Sequence, residues 1–254
     1  MPPSARLLAA LAGAVLAATP LAAAPRPVEH PAPPARPADL PGAAGDTPEP
    51  RAEAYGPPLP PGFASPAPKA AADPSGPCLD RLKALGVVFE TRPAIAAGAC
   101  GTGEAEPLRV TALSSSLSLS APSTMVCPMA EALARWAAEA VAPAAREHLD
   151  AAPKRLAIGT SYECRGQNRQ SGAKLSEHAF ANAVDVMAFE FEGKPALTVT
   201  FHPDGSPNRR FQDAVRSRAC DYFATVLGPG SDASHADHLH LDLRARKRGF
   251  KLCQ

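Results

Sequence analysis

Regular hydrophobic periods begin only after residue 77, and they come in two kinds. Residues 78–86 place Leu82 and Leu85 on one side and close on Gly86, which predicts a short helix with a glycine stop. Residues 87–89 (Val-Val-Phe) predict a short strand. From 91 to 125, Gly, Ser and Pro interrupt every period. Pro128 then suits a first helical turn, and Met129, Leu133, Trp136 and Ala140 recur at helical spacing. Trp136 reads as the core anchor of that face, and Pro143 as the residue that kinks or ends the helix.

The second half is richer in two-residue alternation. Residues 155–162 read as a strand leading into Cys164 and Arg165. In 183–189, Val184 and Val186 share one face while Ala183, Asp185 and Met187 share the other. A turn at Glu192, Gly193 and Lys194 precedes another strand at 197–201. Residues 208–227 carry Phe211, Val215, Ala219, Phe223 and Leu227 in helical register, with Gly228-Pro229-Gly230 as the terminator. The last strand is 238–243, with Leu239, Leu241 and Leu243 toward the core and His238, His240 and Asp242 toward the other face. Helices and strands mixed in this order predict an α+β fold: an antiparallel sheet flanked by helices.

Composition changes the picture at the N-terminal end. Arg6 precedes an apolar run from Leu7 through Ala18, too short to span a bilayer, and Ala22-Ala23-Ala24 offers small residues for cleavage. Residues 1–24 therefore read as an export signal, with an uncleaved anchor as the alternative. Residues 25–77 hold more than half of the 30 prolines and few large aliphatics. Such a segment cannot bury enough apolar surface to order itself, so it reads as a linker, and less well as a docking tail. The folded domain is then 78–254.

Charge and cysteines narrow the function. A formal net charge of +1 gives no global attraction for nucleic acid. The local cluster Arg244, Arg246, Lys247, Arg248 and Lys251 reads as a solvated strand end, or more weakly as an attractor of an anionic polymer. All six cysteines lie in 78–254 without a CxxC pair, which disfavours a thiolate zinc site. An even count behind an export signal predicts disulfides in an oxidising compartment, their pairing left open.

The chemistry concentrates in two short segments. His178 and Asp185 stand in the first; His235, His238 and His240 stand in the second, so four of the seven histidines are here. No HExxH occurs, and a spacing of seven is too wide for a helical i, i+4 ligand pair. It fits a turn carrying His178 that feeds a strand carrying Asp185. Imidazole nitrogen and carboxylate oxygen are what a catalytic zinc site uses when one position stays open for water.

These residues carry a resemblance. Ser176-x-His178-x-x-Ala181-x-Ala183-x-Asp185 resembles the S-x-H-x-x-G-x-A-x-D motif of zinc D,D-carboxypeptidases and dipeptidases acting on peptidoglycan, with Ala181 where that motif has glycine. His235-x-x-His238-x-His240 resembles penicillin-insensitive murein endopeptidases of the same hedgehog/D,D-peptidase fold group. Ser161-Tyr-x-Cys164-Arg165 stands where that group has a Tyr-Arg pair. The span from Cys78, with its Cys-Pro-Met before the long helix, is similar to the extensin-like C-terminal domain family.

The resemblance implies Zn2+ held by His178, Asp185 and His240, with a fourth position for water. It implies His238 as the acid–base group, His235 as a supporting imidazole and Arg165 on the substrate carbonyl or carboxylate. Asp237 is an alternative base, which strand parity disfavours. Ser176 and Asp242 are expected to orient imidazoles through their free N–H groups. The implied activity is an exported, periplasmic or wall-associated zinc peptidase on peptidoglycan peptides, with no nucleic-acid partner and no stable membrane insertion once the signal is removed. Oligomeric state is left open. The alternative is a non-catalytic, zinc-stabilised wall-binding module, since zinc geometry and fold do not by themselves make a peptidase.

Overall fold

Residues 75–254, Ser171 excepted, are described by a computed structural model. The expected signal and nearly all of the expected linker lie outside the described residues. In chain order the elements are α1 (Ser75–Ala84), β1 (Val88–Thr91), the small hairpin β2 (Ala96–Ala97) and β3 (Cys100–Gly101), β4 (Leu108–Ser114), β5 (Leu117–Met125), α2 (Cys127–Trp136), α3 (Ala142–Leu149), β6 (Pro153–Ile158), β7 (Ala183–Phe191), β8 (Lys194–Thr198), α4 (Pro207–Tyr222), β9 (Thr225–Leu227), β10 (Leu239–Asp242) and β11 (Leu252–Cys253).

A nine-stranded sheet runs in the order β1-β4-β5-β6-β7-β10-β9-β11, with β8 also paired to β7. Pairing is antiparallel except between β5 and β6 and between β9 and β11. The fold is thus mixed α+β, with a mostly antiparallel sheet, as the sequence predicts. β7 is long enough to serve two partners along one edge: Ala183–Val186 meet β10 and Ala188–Phe191 meet β8.

The core joins helices to sheet. Trp136 is fully buried, and its indole N–H donates to the Val215 carbonyl at 2.9 Å, so the large apolar ring leaves no polar group unsatisfied. Phe189 and Phe223 each lie 6.1 Å from its ring. Val184, Val186, Phe189 and Phe191 all join this core. A strict alternation would not allow that. A register shift against β6 between Ala157 and Ile158 leaves Met187 as an extra residue on β7 and resets the parity beyond it.

Several sequence expectations change; the strand expected at 155–162, for one, ends at Ile158. Pro143 does not end its helix: α2 passes through a π-helical turn, Ala137–Val141, into α3. The Ala142 amide donates to the Ala137 carbonyl, so the ladder has already shifted by one residue where the proline removes a donor. The helix at 208–227 stops at Tyr222. Phe223 is extended and buried, and Thr225–Leu227 leave as β9 to pair with β10 and β11. The strand expected at 197–201 ends at Thr198, and Phe201 is exposed.

The disulfides are Cys78–Cys127, Cys100–Cys164 and Cys220–Cys253. The first ties α1 to the start of α2, the second ties the small hairpin to the segment before Arg165, and the third ties α4 to β11. Three such bonds point to an oxidising or extracellular compartment. Among the described residues no helix is long and apolar enough to cross a membrane.

Candidate metal centre

Sheet pairing builds the centre. β7 and β10 are antiparallel, and His240 sits directly opposite Asp185. Cross-strand partners share a face, so their side chains project together. Leu239 and Leu241 fill the core on the other face, as the alternation predicts. His178 arrives from a short 3-10 turn, Glu177–Phe180, whose opening amide at His178 is capped by Ser176 Oγ. The turn closes with Ala181 at φ 53°, ψ 28°, where its amide and that of Asn182 return to the carbonyls of His178 and Glu177. The residue standing in place of the motif's glycine is thus left-handed, the conformation that favours glycine.

Three atoms converge. His178 Nε2 lies 3.1 Å from Asp185 Oδ1 and 3.1 Å from His240 Nδ1, and His240 Nδ1 lies 3.0 Å from Asp185 Oδ1. All three residues are buried, and together they can hold a metal ion. The other nitrogen of each ring is already committed. His178 Nδ1 faces the Ser161 carbonyl at 3.0 Å, and His240 Nε2 faces Asp242 Oδ2 at 3.2 Å. Those acceptors take the ring protons, so in their neutral forms both imidazoles turn lone pairs toward a carboxylate oxygen. Three acceptors at such separations are arranged to share a cation. Tetrahedral bonds of about 2.05 Å would set the donors roughly 3.3 Å apart, close to the observed triangle.

Burial acts to raise the Asp185 carboxyl, but its bonds with His178 and His240 outweigh this and hold it far below the carboxylate range. Burial opposes charge on His240, yet its bonds to Asp185 and Asp242 push it up to about 9. Without a metal, a proton on that ring is what relieves the crowded acceptors.

The family comparison bears on the whole of this architecture. The family described as Extensin-like protein C-terminus matches residues 76–254, well over half of the chain. The chain belongs to this extensin-like family. No curated protein and no solved structure matches it.

In this extensin-like domain the triangle opens into a cleft of about 550 Å³. His238 stands beside it, with Nε2 3.7 Å from Asp185 Oδ1 and Nδ1 2.9 Å from Asp237 Oδ1. His235 lies behind, its ring 5.2 Å from that of His238 and 5.6 Å from that of His240. Asp232 grips His235 Nδ1 with both oxygens at 2.8 Å. Burial lowers the His235 imidazole despite that carboxylate. Arg165 reaches within 3.8 Å of Asp185 Oδ2, while its Nε donates to Glu163 at 2.9 Å. The structure therefore gathers Asp185, His240, His238, His235 and Arg165 at one cleft, with His178 buried against Asp185 and His240.

Four details depart from the sequence reading. Ser176 caps a backbone amide and does not touch an imidazole; the Ser161 carbonyl does that for His178. Asp237 precedes β10, so strand parity does not govern it, and it orients His238. Asp232 was not singled out, although a D-x-x-H spacing before His235 is a readable capping pattern. Of the basic cluster, Arg244 and Arg246 are half-buried in the cleft wall, while Lys247, Arg248 and Lys251 are exposed.

Proposed function

We propose that this extensin-like domain is an exported zinc-dependent peptidase that hydrolyses peptide bonds of peptidoglycan peptides. The resemblance of its two motifs to peptidoglycan metallopeptidases suggests the substrate. The observation that carries the reading is a triangle of converging acceptors with another imidazole, His238, held beside it. A purely structural metal site has no use for that extra, oriented nitrogen.

Zinc held by His178, Asp185 and His240 would act as a Lewis acid and make water acidic enough to attack near neutral pH. The remaining work falls to the chain. Asp237 accepts the Nδ1 proton of His238 and so presents a lone pair on Nε2. His238 Nε2 takes the proton from the attacking water and returns it to the departing amine. Arg165, held by Glu163, faces the developing negative charge on the carbonyl oxygen. His235, fixed by Asp232, packs beside His238 and keeps its ring in place.

Mass spectrometry of muropeptides incubated with the zinc-loaded chain tests the proposal. Release of a peptide or amino acid is expected. His238→Ala should keep its zinc and lose roughly a hundred- to ten-thousandfold in rate. His178→Ala should lose both. Digestion by His238→Ala at the parent rate sinks the assigned role. Binding of wall sacculi by the parent without any release favours a wall-binding module instead.

A further inference from the structure

Four arginines line the cleft: Arg165, Arg169, Arg244 and Arg246. Three are committed to the protein. Arg165 and Arg169 share Glu163. Arg246 donates to the Ala224 carbonyl at 2.8 Å and to Thr225 Oγ1 at 2.7 Å. The Arg244 guanidinium makes no hydrogen bond or ion pair among the described residues. The nearby Glu177 carboxylate feels its charge, but takes its own hydrogen bond from Asn182 Nδ2 at 2.7 Å.

Arg244 is nevertheless firmly mounted. Its backbone amide donates to Asp242 Oδ1 at 2.9 Å, and the other oxygen of that carboxylate faces His240. One carboxylate thus orients a metal-centre imidazole and anchors the arginine. The side chain is half-buried in the cleft wall, not in open solvent. A half-buried guanidinium left without an acceptor, facing a cleft, is built to receive one.

We propose that Arg244 forms an anion subsite of the cleft that binds a carboxylate group of the ligand. The guanidinium fork matches a carboxylate with two parallel hydrogen bonds, which Lys cannot reproduce. The carboxylate is either a peptide chain end or an acidic side chain. The inference rests on the reading that the cleft receives peptides, but not on their being cut.

Calorimetric titration of the full chain with three simple probes tests it. These are N-acetyl-dialanine, its C-terminal amide, and N-acetyl-glutamyl-alaninamide, whose only carboxylate is on the side chain. At least one acid should bind roughly ten- to a hundredfold more tightly than the neutral amide, and which acid wins identifies the source. Arg244→Gln should erase that advantage while zinc content stays unchanged, because the substitution leaves the backbone bond to Asp242. Arg244→Lys should keep only part of it. Equal binding of acids and amide by the parent, no binding of either acid, or an advantage that survives both substitutions overturns the proposal. A parent that prefers an acid probe yet releases no peptide from muropeptides would leave the subsite standing and remove the peptidase.

Discussion

Two polar clusters in this protein each set carboxylates against basic side chains and differ in what they lack. On the helical side, Glu131 accepts from Arg81 Nε at 2.9 Å and from Arg135 at 2.9 and 3.0 Å, and Tyr222 donates to Glu139 at 2.9 Å. Every acceptor there meets a donor. At the sheet, His178, Asp185 and His240 aim acceptor at acceptor, and their remaining ring nitrogens are taken by Ser161 and Asp242. The first cluster is complete as it stands. The second is short of positive charge at one point, which is what a metal site looks like from its protein side.

The largest effect should come from removing a corner of the triangle. His178→Ala is expected to abolish stoichiometric metal binding, read by elemental analysis of protein purified without chelator. Glu131→Ala should leave metal content untouched. Metal at a thousandfold above its dissociation constant stabilises by about 4 kcal/mol. Chelation should therefore lower the melting temperature of the parent and do nothing to His178→Ala. A parent that melts identically with and without chelator would erase the contrast between the clusters.

A tier below lies the carboxylate behind His240. Asp242→Asn leaves the triangle intact but weakens the acceptor that fixes the ring. Metal affinity should fall roughly ten- to a hundredfold by competition titration. A loss as complete as that of His178→Ala would mean that Asp242 itself is a ligand.

How much of this is visible in the sequence depends on parity. β10 is legible because Leu239 and Leu241 alternate with His240 and Asp242 without interruption. β4 is not: a register shift between Ala112 and Ser114, opposite Ser118 and Leu117, leaves Leu113 as an extra residue and moves the buried set from Leu108 and Val110 to Leu113, so no period survives. β5 hides its alternation behind serines and Pro122. On β7 the same kind of shift at Met187 falls after Asp185, so that carboxylate keeps its expected face while the residues beyond it do not. The end of α4 was lost because Phe223 is core-facing both as helix continuation and as the first residue after it. Arg244 read as solvated because the other residues that line its cleft, Arg165 and Arg169 among them, lie far away in sequence.

The complete cluster makes its own, smaller prediction. Burial acts to raise the Glu131 carboxyl, but hydrogen bonds from Arg81 and Arg135 outweigh it and hold the group below its ordinary value of 4.5. A carboxyl depressed in the fold contributes stability above its unfolded value and loses it as pH falls through the folded one. Glu131→Gln should therefore cost about 1 kcal/mol at pH 7, as its partners are only half-buried. The gap between parent and variant in denaturant melts should narrow as pH drops below about 4.5. A gap constant down to pH 3 would show that packing, not charge, is what the glutamate supplies.

The smallest effect is expected at Ala181, the turn that sets the approach of His178 to Asp185. Its left-handed backbone strains an alanine by about 1–2 kcal/mol. Glycine would relieve that strain, but would lose about 0.5–1 kcal/mol to backbone entropy and about 0.8 kcal/mol for the buried methyl. These terms nearly cancel, so Ala181→Gly should shift stability by less than about 1 kcal/mol and leave metal affinity unchanged. Ala181→Val faces the same dihedral with a branched side chain and no space around a fully buried site. It should destabilise the fold and weaken metal binding together, because the turn can relax only by moving His178. If valine is accepted with full metal affinity, the position of His178 is set by its bond to the Ser161 carbonyl, and the turn merely follows.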